Sequence, residues 1–436
     1  MNQPPSAVLA IDFSADRLDV ALHAPDGSWP IPHHAYDNSW AGFQALKQDL
    51  RRHLEAQAAD TLTAVGESTG LYWWHAFYHI ATDPDLAPYE PQLALLNPMH
   101  VKHFRKALPQ RDKDDHTDTH LIDRYYLVNG VKQFYQFDSR YLPLRQLTRA
   151  YSRLTHSLAA EKAFARTMIY LLASNYQRGR VFSDTFGVAS QHVLSEFDDI
   201  AAIAAIPVDE LAAALNQVAR GKLPDADKTA HTLRQAVDHS YPLDPALRPA
   251  VHTTLTFTLD HIRFLESQKL AYRQLIETEL ATLPEAELAL AEPGLGTILV
   301  AGILSEIQDT RRFLTGQKYD RRRKCLRPRR YRDGQAAVAR LAGLWWPRNS
   351  SGRFESQDRH LAQERNPYLR YWLVQAAFSL KGHQTEYADY YRKKYQEVTK
   401  HQHKRALILT ARKATRMIFA LLHKGQTRRL EEDTAA

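Results

Sequence analysis

A single cysteine, Cys325, stands among 436 residues. That excludes an intramolecular disulfide and any zinc site built mainly of thiolates. Long hydrophobic runs are missing too. The longest, around Ile298–Leu304, falls well short of the ~18 residues that would span a bilayer, so no membrane partner is expected. Met1–Ala10 has no basic region ahead of its short apolar stretch, so no signal peptide and a cytoplasmic location are expected. Neither a Gly-rich phosphate loop nor a dinucleotide fingerprint is present, which counts against an ATPase or a dehydrogenase. Wholesale disorder is argued against by an ordinary composition, 44% hydrophobic and 24% charged. The length suggests roughly three domains.

What is present is basic charge. Lys plus Arg number 57 against 49 Asp plus Glu, a formal net charge of +8. A basic protein of this size often has a polyanionic partner. The excess clusters in Arg311–Arg332 and along Arg392–Arg429, whereas notable carboxylates lie in the first third. A basic region beside an acidic site suggests a nucleic-acid enzyme rather than a passive binder.

Residues 7–13 read as a buried strand ending at Asp12, and Leu18, Val20 and Leu22 alternate as a second. His33–Tyr36 is a short third strand. Asn38 or Ser39 caps a helix to about Ala58. Leu62–Gly66 is a strand ending at Glu67, Leu71–Ile80 an aromatic-rich helix and Gln92–Leu96 another strand. Helical pattern resumes near His100 and over Asp112–Leu127. This order suggests a mixed α/β sheet of the ribonuclease H-like kind. Leu147–Leu283 is helical, and its two long outer segments could pair as an antiparallel coiled coil or form a dimer interface. Beyond it, Pro293-Gly294-Leu295-Gly296-Thr297 leads into an apolar helix; it is either a phosphate-approaching hairpin or a plain turn. The resulting division is 1–145, 146–285 and 286–436, an α/β domain followed by a helical scaffold and a mostly helical C-terminal domain.

Asp12 and Glu67 each close an apolar strand, and Asp115 and Asp118 share a helix face. Any one of these acids alone reads as a solvated side chain, but two at strand ends point to a site. Four converging carboxylates would repel unless divalent cations sat between them. Two Mg²⁺ held this way can stabilise the oxygens of a phosphodiester exchange. Asp112 and Asp114 are rivals within the same segment. The pairs His75/His79 and His116/His120 read as helix-surface histidines. Arg321, Arg322, Arg323, Lys324, Arg327, Arg329, Arg330 and Arg332, with Tyr319 and Tyr331 interleaved, suit phosphate contact and base stacking. Ser351 lies in a loop between Arg348 and Arg353; taken alone it is an ordinary exposed serine.

Together these motifs resemble the DEDD-type insertion-sequence transposases associated with a bridge RNA. Ala10-Ile11-Asp12-Phe13-Ser14 with Leu18-Asp19-Val20-Ala21 is similar to the family's opening strand pair. Glu67-Ser68-Thr69-Gly70 is similar to its second acidic motif, and Lys113-Asp114-Asp115-His116-Thr117-Asp118 to its paired-aspartate segment. Pro293-Gly294-Leu295-Gly296, Pro347 with Ser350-Ser351-Gly352, and Asn366 with Leu369-Arg370 resemble its C-terminal transposase domain. The chain departs from the usual pattern at Thr119, Ser350 and Arg365, and its basic run reads as an insertion.

The resemblance implies a RuvC-like N-terminal domain in which Asp12, Glu67, Asp115 and Asp118 hold Mg²⁺, with Ser351 as the nucleophile that links to DNA. It also implies a prokaryotic, nucleoid-associated recombinase. Its partners would be donor and target double-stranded DNA, a guide RNA from the element's flank, and other copies of the chain in a dimer or tetramer, with composite active sites. Arg348 and Arg353 would join the basic run in contacting nucleic acid. Two other readings stand beside it: a RuvC-type metal-dependent nuclease without serine chemistry, and a non-catalytic nucleic-acid binder.

Overall fold

A computed structural model describes residues 6–107, 115–131, 134–196, 200–320, 323–347, 350–351, 354–355, 360–363 and 365–435. The chain forms two compact units, Met1–Asp138 and Ser139–Ala436.

The first unit is built on a five-stranded sheet in the order β3-β2-β1-β4-β5. Its strands are β1 (Ser6–Phe13), β2 (Arg17–His23), β3 (Ile31–Asp37), β4 (Thr61–Glu67) and β5 (Gln92–Leu96). β1, β2 and β3 pair antiparallel, whereas β4 and β5 add in parallel. Successive side chains of a strand point to opposite faces, and the cores divide accordingly. Leu9, Ile11 and Phe13 join Phe43, Leu46 and Leu50 of α1 (Trp40–Ala56) and Phe77 and Ile80 of α2 (Trp74–Thr82). Val8, Ala10 and Val65 face Val101 of α3 (Pro98–Ala107) and Leu121 and Ile122 of α4 (Asp115–Asn129). Ser39 caps α1 by accepting from the Gly42 amide at 3.1 Å. The second aromatic helix starts at Trp74 rather than Leu71, because Gly70 turns the chain at φ +56° first.

The mixed sheet and the largely helical remainder agree with the sequence reading. The second unit has two cores. α5 (Leu142–Leu172) and α9 (Arg248–Ala281) are its longest pair. Lys269 lies over Tyr151, and His261 meets Glu161 at 3.3 Å, so the two helices run in opposite directions. Around their far ends pack α6 (Val188–Glu196), α7 (Val208–Val218) and α8 (Ala226–Asp238). Their near ends share a core with α10 (Glu287–Leu290), α11 (Thr297–Ile307), α12 (Tyr331–Leu341), α13 (Pro367–His383), α14 (Thr385–Gln396) and α15 (Gln402–Ala435). Between these helices lie two small hairpins. One pairs β6 (Gln317–Asp320) with β7 (Cys325–Pro328), and the other pairs β8 (Ser350–Ser351) with β9 (Phe354–Glu355). Among the described residues, no helix is long and apolar enough to cross a membrane.

Candidate active site

The parity that buries Val8, Ala10 and Val65 against α3 and α4 also turns Asp12 and Glu67 to that face. Ile11 pairs with Gly66 in the parallel register, so Asp12 and Glu67 come next, side by side at the carboxyl ends of β1 and β4. Ligands of open α/β sheets gather at such ends. Gly66 makes the approach possible, since a β-carbon there would lie 2.3 Å from the Phe13 ring and 2.8 Å from the Ile11 carbonyl.

Helix α4 supplies the third acid. Thr119 and Ile122 are buried toward the sheet, and Asp118 on the same side is electrostatically coupled to Glu67. Burial is the main cause that raises the Glu67 carboxyl to about 7, with Asp12 and Asp118 adding to it and Arg105 opposing them. Three of the four predicted acids are therefore brought together. Asp115 opens α4, one helical turn before Asp118, but its side chain lies outside the described residues, as do Asp112 and Asp114.

Sequence reasoning missed Arg105. It sits one turn beyond buried Val101 on the inner side of α3 and forms an ion pair with Asp118. The Asp118 Oδ1 it touches is buried and accepts no aligned hydrogen bond. Asp19 was also missed. It pairs directly with Asp12 across β1 and β2, and its Oδ1 meets His33 Nε2 at 3.2 Å and Arg17 Nη2 at 3.4 Å. His120 stands apart from the acids, packed on Trp29 with its Nε2 2.9 Å from the Pro32 carbonyl. His79 is packed among Trp40 and Phe43, and burial, with His75 nearby, lowers its pKa.

The donor set fits a hard divalent cation: acceptor-only carboxylates in mutual repulsion at a sheet edge, one of them with a buried oxygen that meets Arg105 without an aligned hydrogen bond. Among the described residues, no group of three or more His, Cys, Asp or Glu is arranged to hold a metal ion; the side chain of Asp115 is not among them.

Ser351 belongs to β8 in the second unit; its side chain, like that of Ser350, lies outside the described residues. The neck of its loop is closed by Arg370 of α13. This guanidinium donates to the Ala342 carbonyl at 3.0 Å, to that of Gly343, and to that of Ala362 at 3.3 Å. The Ala362 amide donates to the Trp345 carbonyl at 3.0 Å, and the Asn366 amide to that of Leu341 at 2.7 Å.

The basic run folds in part as the β6–β7 hairpin. Tyr319 and Leu326 pair across it and are both exposed, as are Arg323 and Lys324 at its tip. Lys318 and Arg327 pair on the other face, where their charges meet Asp333 at 2.6 and 2.7 Å, and Arg327 also meets Asp320 at 3.5 Å. Arg327 is thus engaged within the protein. Tyr331 packs against Phe419 and His423 of α15. Arg321, Arg322, Arg348 and Arg353 lie outside the described residues. The Gly294 turn ahead of α11 packs on α13, with Gln384 donating to the Pro293 carbonyl at 2.7 Å.

The Arg327 bond is the main cause that holds the Asp333 carboxyl well below the usual range; Lys318 and the Arg330 amide add to it against burial. A depressed carboxyl stabilises the fold above its unfolded value of about 3.9, and that support is lost as pH falls through the folded value. Asp333→Asn should therefore cost about 1–2 kcal/mol near pH 7. The gap in unfolding midpoint should hold down to about pH 5 and narrow below about pH 4. A gap independent of pH would show that charge is not what Asp333 contributes.

Carboxylates gathered at one sheet edge are an arrangement that enzymes acting on phosphodiesters with divalent metal use. Residues 9–171 match the family model of a transposase domain, the DEDD transposase of the IS110 group. The matched stretch holds Asp12, Glu67, Asp115 and Asp118, and the similarity supports a DNA-processing, transposase role. No curated protein matches the chain.

Proposed function

We propose that this chain is an RNA-guided DNA recombinase of an insertion element, working through a covalent serine–DNA intermediate. The observation that carries the reading is the convergence of Asp12, Glu67 and Asp118 at the carboxyl ends of β1 and β4, within the stretch that matches the transposase model. The strand order β3-β2-β1-β4-β5, antiparallel then parallel, supports a ribonuclease H-like domain of RuvC type.

Asp12, Glu67, Asp115 and Asp118 are the residues that would hold Mg²⁺. Bound there, the metal supplies positive charge for the scissile phosphate. Ser351 supplies the nucleophile. Its oxygen forms a bond to phosphorus as one DNA P–O bond breaks, and its proton is released as the departing DNA oxygen gains one. One phosphodiester replaces another, so no ATP is consumed. The exposed basic groups at the tip of the hairpin, Arg323 and Lys324, with Arg329, Arg330 and the exposed Tyr319, suit the backbone and unpaired bases of a guide RNA or a DNA strand. Base pairing would read sequence while the protein reads shape. Two or four copies would share composite sites, in the cytoplasm beside the nucleoid.

The test is a covalent trap. The whole element, flanks included, is expressed with a target library, and DNA adducts are compared between wild type and Ser351→Ala. The expected result is an adduct in wild type that disappears in the variant. Cleaved DNA with no adduct in either protein would overturn the serine chemistry.

A further inference from the structure

Arg105 is a cation that the structure places against the acid cluster. It reaches Asp118 from the inner side of α3, and its side chain is only 24% exposed. The location is unusual for a mere helix-to-helix tie, because Asp118 and Arg105 both act on Glu67, which Asp12 also repels. A guanidinium stays charged under all working conditions. It cannot be neutralised when a divalent ion arrives; the two cations must share Asp118 or one must yield. We propose that Arg105 is the built-in counter-cation of the cluster and competes with the divalent metal for Asp118, so that the site loads metal fully only when an anionic phosphate of bound DNA draws the guanidinium away. This rests on the reading of the cluster as a metal site. Metal and DNA are then linked through one side chain, and by thermodynamic reciprocity each favours the other.

The probe is Mn²⁺, titrated into the full-length protein by calorimetry or electron paramagnetic resonance, with and without a short DNA duplex. Without DNA, Arg105→Gln should bind Mn²⁺ roughly tenfold more tightly than wild type, because a fixed charge no longer repels the ion. Arg105→Lys, which keeps the charge, should stay within about threefold of wild type on the same argument. The gain in affinity that DNA confers on wild type should shrink in Arg105→Gln. If the Gln variant melts early, Arg105→Met, which retains the apolar stem, gives the same reading. Unchanged or weaker Mn²⁺ binding in both neutral variants would reduce Arg105 to a structural tie and overturn the inference. Asp12→Asn separates the two ideas. If it abolishes Mn²⁺ binding while Arg105→Gln changes nothing, the inference alone fails. If Asp12→Asn has no effect on Mn²⁺ either, the metal-site reading fails with it.

Discussion

On the proposed reading, Asp12→Asn is expected to abolish strand cleavage, by a factor on the order of 10³ or more, since a cation held by these carboxylates would lower the barrier by several kcal/mol. The fold should not suffer. Asparagine has the shape of aspartate, and the core residues Leu9 and Ile11 beside it are untouched. The variant also removes a like charge beside Glu67. A second readout separates chemistry from folding. Mg²⁺ should raise the melting temperature of wild type by binding the native state alone, and that increment should vanish in Asp12→Asn. A variant that melts well below wild type without metal would mean that Asp12 is structural. A variant that keeps both cleavage and the Mg²⁺ increment would remove Asp12 from the site.

Much of the first unit is legible in its sequence because its strands obey a strict alternation. The apolar set that fixes β1 and β4 also fixes the direction of the residues that end them, so Asp12 and Glu67 follow from parity alone. The signal for Arg105 was weaker. It lies on the inner side of α3, four residues after Val101, but an arginine in the last turn of an amphipathic helix is ordinary and answers the helix dipole. Only the tertiary approach of α3 to α4 shows that it faces carboxylates. Asp19 was hidden for a related reason. Its place opposite Asp12 depends on the turn between β1 and β2, which sets the register.

In the basic run, composition shows charge but not pairing. A run of arginines reads as uniformly free, yet the two-residue period of the hairpin sends Lys318 and Arg327 inward to Asp333 and leaves Tyr319 and Leu326 outward. The turn at Pro293–Gly296 reads in the sequence equally as a phosphate hairpin or a plain turn. Its packing on the end of α13 is a contact between segments almost a hundred residues apart, which no local pattern encodes.

The second large effect is expected at Glu306, in the other unit. Its side chain is fully buried in α11, and α5 brings two arginines to it. Arg149 grips both oxygens at 2.6 and 3.0 Å, Arg145 lies 3.5 Å away, and Asn366 donates at 2.6 Å. Burial alone would push this carboxyl up; the bonds and charges of Arg149 and Arg145, with Asn366, outweigh it and hold the group below the usual glutamate value. Glu306→Ala removes the counter-charge from arginines already withdrawn from water, and should cost about 3–5 kcal/mol. Glu306→Gln keeps the shape without the charge and should cost less. The pH dependence has a fixed sign: the stabilisation is complete above the unfolded value of about 4.3 and is lost as pH falls through the lowered folded value. Urea unfolding of the full chain near pH 7 is the measurement, and a loss below about 1 kcal/mol would show that the network is dispensable. The effect should also reach function by a short path. Asn366 caps α13 by accepting from the Leu369 amide at 3.0 Å, and the next residue, Arg370, closes the neck of the Ser351 loop. Glu306→Ala should therefore lower the yield of the serine adduct while leaving the Mg²⁺ increment of the first unit intact. Loss of both together would mean that the two units do not keep their structures independently.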